Sequence, residues 1–213
     1  EVAKAAAPTV KRVHQELGGK SPNIVLEDAD LAAAVTGSMS TMMMNSGQSC
    51  TAPSRMLAPN AKMHEIISIA KEAAEVWAPG APASGAKTGP VVSETQWKKI
   101  QSLIEKGIEE GAELVTGGPG KPDGLETGYY VKPTVFANVK NDMTIAREEI
   151  FGPVLCIIGY DTEEEAIAIA NDTDYGLAGY VQSANIDHAR KVASEIRAGY
   201  IHINNARMDF SAP

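Results

Sequence analysis

Val154-Leu-Cys-Ile-Ile-Gly-Tyr160 runs directly into Asp161-Thr-Glu-Glu-Glu-Ala-Ile-Ala-Ile-Ala-Asn-Asp172, and this junction decides the fold. The first segment is the most strand-like run of the chain, apolar and rich in branched side chains. The second predicts a helix over 163–172, built on residues of good helix propensity. A further helix over 185–198 and a last strand from Tyr200 to Ile203 complete this end. Upstream, Ile24-Val-Leu26 reads as a short buried strand. It leads through the acidic Glu27-Asp-Ala-Asp30, suited to a helix start, into a helix carrying Leu31, Val35, Met39 and Met42 to Met44. Strands and helices alternate throughout. The expectation is an α/β fold: an open, mostly parallel twisted sheet with helices on both faces.

The remaining segments fit that scheme. Residues 1–7 suit a helix that Pro8 interrupts, and Val10 to Leu17 alternates apolar and polar side chains as a strand does. Arg55 to Ala58 reads as a strand. Residues 61–77 and 94–111 predict amphipathic helices, with Ile66, Ile67, Ala70 and Ala74 on one stripe and Ile100, Leu103, Ile104 and Ile108 on the other. The Pro-, Gly- and Ala-rich stretch 78–90 is a loop between them. Leu114-Val115 and Tyr129 to Phe136 read as strands, and Pro133 within the latter suggests an edge position.

Composition narrows the function. The 213 residues suffice for one substantial core, and 44% hydrophobic with 22% charged residues argue against disorder. A net charge of −8 without a compact Lys/Arg run disfavours a nucleic-acid partner. No apolar stretch is long enough to span a bilayer, so no membrane partner is expected. Only Cys50 and Cys156 occur, which fits a reducing, cytoplasmic setting better than a disulfide framework. His14, His64, His188 and His202 lack ligand spacing, so no metal site is expected. Both ends read as interrupted, so the chain is expected to be a piece of a longer protein.

Two reactive side chains stand beside glycines: Glu16 in Glu16-Leu-Gly-Gly-Lys-Ser-Pro22 and Cys50 in Asn45-Ser-Gly-Gln-Ser-Cys50, 34 residues apart. Small residues let a substrate or cofactor approach the backbone closely. A thiolate can attack a carbonyl carbon, and a carboxylate can manage protons and activate a water. A lone free cysteine is more often a small buried hydrophobe, and that is the expectation for Cys156 inside its apolar run. A lone glutamate in a strand normally faces solvent.

These two segments occur in order with Pro133-Thr-Val-Phe136, Glu148-Glu-Ile-Phe-Gly-Pro-Val154 and a stretch from Asn171 to Leu177. Together, over essentially the whole chain, they resemble the catalytic portion of the NAD(P)-dependent aldehyde dehydrogenase superfamily. The resemblance implies that residues 1–17 end a cofactor-binding domain and that 18–213 belong to the catalytic thiol domain. It implies oxidation of a small-molecule aldehyde to a carboxylic acid with NAD or NADP, Cys50 as nucleophile and Glu16 as general base acting through a water. Glu149 matches the residue that binds the nicotinamide ribose hydroxyls, Phe151 the ring beside the nicotinamide, and Leu17 a further nicotinamide contact. Asn204 falls at the family's substrate entrance, with Met208 and Phe210 as candidate pocket residues, and Lys20 is read as a structural partner near the site. The parent protein is expected to be a homodimer or homotetramer. Gln15 and Met43 depart from the apolar and the aromatic or aliphatic residues usual at their positions. As it stands the chain is expected to hold the thiol domain without a complete cofactor pocket. Two rival readings are a CoA-acylating relative, which Glu16 disfavours because activated water would waste the thioester, and a silent binding or assembly module.

Overall fold

The computed structural model describes residues 1–206. In chain order it contains α1 (Val2–Ala6), β1 (Pro22–Val25), α2 (Leu31–Met43), β2 (Arg55–Pro59), α3 (Met63–Glu75), α4 (Glu94–Glu109), β3 (Glu113–Thr116), β4 (Thr134–Ala137), α5 (Thr144–Arg147), β5 (Val154–Tyr160), α6 (Glu163–Asn171), β6 (Ala178–Gln182), α7 (Ile186–Glu195) and β7 (Tyr200–Ile203). The strands form one seven-stranded sheet in the order β3-β4-β5-β2-β1-β6-β7. Every neighbouring pair is parallel except β3–β4. The α/β sheet expected from the alternating elements is therefore present.

Helices cover both faces. On one, α2 and α3 bury Val35, Met39, Met43, Ile66 and Ala70 against Val25, Met56, Leu155 and Ile157. On the other, α4 to α7 bury Ile100, Ile104, Ile145, Ala166, Ala170 and Val192 against Ile24, Leu57, Phe136, Cys156 and Ile158. Neighbouring residues of β5 thus serve opposite cores, which is why its sequence is continuously apolar instead of alternating. Burying one such side chain contributes about 1.5–3 kcal/mol. Helix starts follow the capping chemistry: the Asp30, Ser93, Thr162 and Asn185 side chains each accept from a first-turn N–H.

Three expectations are corrected. Val10 to Leu17 forms no strand: Val10 takes a left-handed φ of 53°, and none of residues 11–20 joins the sheet. Alternation supplies a face to bury, but a strand also needs a ladder partner, and β1 is already paired on both sides. The strand expected at Tyr129–Phe136 begins only at Thr134, with Pro133 just ahead of it. It is interior, between β3 and β5, because Pro133 precedes the ladder instead of interrupting it. Finally, β6 and the short α5 were not foreseen, since Ala178-Gly-Tyr-Val-Gln182 has neither a long apolar run nor regular alternation.

Candidate active site

The turn carrying Cys50 is tightly constructed. Asn45, Ser46 and Gly47 take φ values of 53°, 56° and 71° in succession. Left-handed backbone costs a non-glycine residue roughly 1–2 kcal/mol, so the turn needs external supports. The Asn45 amide donates to the Gln48 carbonyl and the Gln48 amide returns the bond to Asn45, at 2.9 and 3.0 Å. Gln48 Oε1 also accepts from the Val92 N–H at 2.8 Å, and Ser46 Oγ donates to the Gly89 carbonyl at 2.8 Å. Gly47 packs directly on the Gly152 peptide, where a Cβ would fall 2.2 Å from the carbonyl. Gly47 and Gln48 in Gly-Gln-Ser-Cys thus hold a turn, and the cysteine is what that turn presents.

The segment before β1 meets it from the other side. A Cβ on Gly19 would lie 1.9 Å from the Cys50 carbonyl oxygen, so only glycine allows the two backbones to approach this closely. This approach brings the Glu16 carboxylate to the Cys50 thiol. Burial pushes the half-buried Cys50 thiol up from its ordinary pKa, and Glu16 pushes further in that direction through a hydrogen bond and its charge. The Cys50 backbone N–H, set against its own sulfur, pulls the other way. Ser49 Oγ and Thr51 Oγ1 meet at 3.1 Å across the cysteine.

The third component is the Glu149–Gly152 turn before β5. Glu149 Oε1 accepts from the Gly19 N–H at 2.8 Å, and a Cβ on Gly18 would sit 2.6 Å from Oε2. Phe151 takes a left-handed φ of 55°. Gln96 of α4 clamps it, donating from Nε2 to the Ile150 and Phe151 carbonyls at 3.0 and 2.9 Å. One turn along α4, the Ile100 methyl fills the space where Gly152 would carry a side chain. Gly19, Met42, Gly47, Glu149 and Phe151 line a narrow groove beside the thiol turn. Leu17 stands exposed nearby in sequence.

Below these turns lie two buried cations. Arg55 is fully buried and satisfied, donating to the carbonyls of Lys20, Ile169 and Ala170 and to Asn141 Oδ1 at 3.0–3.1 Å. Lys20 is buried with its Nζ unpartnered. Desolvation lowers its pKa to about 8. Cys156 is wholly buried, its Sγ donating to the Ile145 carbonyl at 3.3 Å.

Of the sequence-predicted site residues, Cys50, Glu16 and Glu149 gather in one place, with Phe151 on the same turn as Glu149. Asn204 lies elsewhere. It follows β7 and exchanges hydrogen bonds with the Ser183 backbone at 2.8 and 2.9 Å, at the carboxyl ends of β6 and β7. Met208 and Phe210 lie outside the described residues. Sequence reasoning missed Gln96, which Ser93-Glu-Thr-Gln96 disguises as an ordinary capping box. Only half of that box forms, the Gln96 N–H reaching Ser93 Oγ at 3.2 Å, while its side chain goes to Phe151. It also missed Tyr180, whose hydroxyl donates to the Thr51 carbonyl at 2.9 Å.

Comparison with known proteins places this arrangement. A family model described as the aldehyde dehydrogenase family matches residues 1–212. A 3-succinoylsemialdehyde-pyridine dehydrogenase from a Pseudomonas species is 54% identical over 213 residues, all of this chain and 45% of the relative. Aldehyde dehydrogenase C of Pseudomonas syringae was solved as a cysteine-to-alanine variant with NAD+ and octanal. It superposes with a TM-score of 0.94 at 52% identity, covering 98% of this chain and 43% of the other. A Mycobacterium tuberculosis aldehyde dehydrogenase in complex with NAD+ gives 0.95 at 48% identity, covering 100% and 44%. The chain therefore spans less than half the length of the relatives it matches.

Proposed function

The chain belongs to the aldehyde dehydrogenase family, and from that premise we propose that it carries the thiol machinery of an enzyme oxidising an aldehyde to a carboxylic acid. The observation that carries this reading is the close packing of Gly19 on the Cys50 carbonyl, which sets the segment bearing Glu16 beside the thiol turn 34 residues away. Glu16 is placed to take the thiol proton, directly or through a water, as Sγ adds to the aldehyde carbon. The addition leaves an oxyanion on a thiohemiacetal. The Cys50 backbone N–H, set against the sulfur, is a donor for that charge. Loss of hydride from the same carbon leaves a thioester on Cys50. Once the first proton has passed to solvent, Glu16 accepts a proton from a water attacking the thioester and passes it to the departing sulfur, so the acid and the free thiol are released.

NAD(P)+ supplies the hydride acceptor when bound, and two family neighbours hold NAD+. The residues present fit the nicotinamide end of such a molecule. Glu149 keeps Oε2 as an acceptor for a vicinal diol while Oε1 is satisfied by Gly19, and the side-chain-free Gly18 leaves room beside it. Phe151 and the exposed Leu17 offer apolar surface to a ring. Asn204 acts at a distance, fixing the turn after β7 through the Ser183 backbone.

The test is to trap the intermediate in the complete protein. With aldehyde and NAD+, Glu16→Gln should accumulate an acyl adduct on the Cys50 peptide, visible by mass spectrometry, and Cys50→Ser should form none. An acyl group on another residue, or wild-type turnover by Glu16→Gln, would overturn the assignment. Acyl-CoA in place of free acid as product would select the CoA-acylating reading.

A further inference from the structure

One aromatic group beside the thiol has no part in this mechanism. Tyr180 of β6 and His202 of β7 are register partners, and their rings stack with centroids 4.8 Å apart and planes 19° from parallel. Tyr200, two residues earlier on the same face of β7, meets His202 edge-on at 5.2 Å and 87°. Both contacts are favourable aromatic geometries. The cluster is joined to the thiol turn through Tyr180. The Tyr180 hydroxyl donates to the Thr51 carbonyl at 2.9 Å. Tyr200 stands close enough to the thiol that, after burial, the Cys50 and Glu16 charges also raise its pKa. Tyr180 is buried, whereas Tyr200 and His202 keep part of their surface open. His202 Nδ1 bonds the Ala206 carbonyl at 2.8 Å, which requires Nδ1 to carry the proton and fixes the ring.

The thiol therefore has two different sides. Toward β5 lie Glu149 and the Phe151 turn, where a diol and a nicotinamide ring fit. Toward β7 lies a rigid, half-open aromatic wall with few rotatable bonds. We infer that Tyr200 and His202 are specificity-determining residues that select aldehydes bearing a planar aromatic or heteroaromatic ring over straight-chain aldehydes. A flat ring gains edge or face contacts with such a wall and loses little conformational freedom in doing so, whereas an alkyl chain must freeze several torsions. This rests on the proposed aldehyde oxidation and adds the class of aldehyde.

The test uses the complete protein with benzaldehyde and hexanal. Two readouts are taken for each aldehyde: kcat/KM for NADH formation, and the concentration that protects Cys50 from iodoacetamide. The expected result is a preference for benzaldehyde in both. Tyr200→Leu and His202→Leu should shrink the benzaldehyde-to-hexanal ratio about two- to tenfold, the range that loss of one aromatic pairing allows. Tyr200→Phe, which keeps the ring, should keep the ratio. If both aldehydes are oxidised and protect but the ratio is unchanged in both leucine variants, the wall does not select and the inference falls. If neither aldehyde protects or is oxidised, the aldehyde-oxidation reading falls and takes the inference with it. The protection assay keeps the inference testable in a variant that no longer turns over.

Discussion

At the scale of single residues, Cys50 rests in surroundings that favour the neutral thiol. Burial and the neighbouring Glu16 act together, and only its own backbone N–H opposes them. In the proposed mechanism the same carboxylate that raises the thiol pKa is the base that takes its proton. This gives a prediction with an unusual sign. Replacing Glu16 by Gln removes a negative charge and a good acceptor, so the thiol pKa falls back toward its ordinary value. The thiolate fraction at pH 7.5 rises, and iodoacetamide alkylation of Cys50 should become severalfold faster, its pH profile moving to lower pH. Acyl hydrolysis should fail in the same variant. Stopped alkylation at a series of pH values checks this, and superimposable profiles for the two proteins would show that the groups do not communicate.

At the scale of elements, α4 governs the Glu149 turn without touching any reacting group. Gln96 bonds two consecutive carbonyls, one of them on the left-handed Phe151, and Ile100 sits where Gly152 lacks a side chain. Gln96→Ala should free both carbonyls and cost about 1–3 kcal/mol of stability in urea denaturation. The Glu149 turn should loosen, weakening NAD+ binding to the complete protein about threefold or more, while Cys50 alkylation stays at the wild-type rate. Equal losses in cofactor binding and alkylation would mean that the thiol turn moves too, and that α4 supports the whole site. The same elements show what a sequence can reveal. β5, α3 and α4 were legible because each writes its burial into a local pattern, a continuous apolar run or a stripe at helical spacing. β6 was not, because its small and polar residues are buried through contacts far away in the chain: Gln182 bonds Asn23, 159 residues distant. Glu16 and Cys50 stood out because glycines flank them, and those glycines mark close approaches, Gly19 on Cys50 and Gly47 on Gly152; Glu149 stood out only by family resemblance. Gln96 and Tyr200 carry no such local mark, since what defines them is a partner that only folding brings near.

At the scale of the whole molecule, the site lies at an unexpected end of the sheet. Open α/β folds usually bind ligands outside the carboxyl ends of their strands. Here Gly19 precedes β1, Cys50 precedes β2, Glu149 precedes β5 and Tyr200 opens β7, so the candidate groups gather at the amino ends. Three loops entering adjacent strands can be pressed together there by glycine, as Gly19 on Cys50 and Gly47 on Gly152 are. The arrangement suits a thiol and a base, but it provides for only part of a dinucleotide. Among the described residues, the glycine-rich stretch Gly117 to Gly120 leads into β4 and opens no helix, so it offers no helix N-terminus for a pyrophosphate. What remains is the Glu149 carboxylate, whose charged hydrogen bonds each contribute about 1.5–3 kcal/mol, and apolar contact with Phe151 and Leu17. Association itself costs roughly 4–15 kcal/mol, so the surplus is small. The chain by itself should therefore bind NAD+ with a Kd weaker than about 1 mM, the affinity that ~4 kcal/mol of net binding free energy supplies. The complete protein should saturate well below that concentration. Isothermal titration of both decides the point, with Glu149→Gln as the control that any weak binding uses this carboxylate. A micromolar Kd for the chain alone would mean that these residues hold far more of the nucleotide than its nicotinamide end.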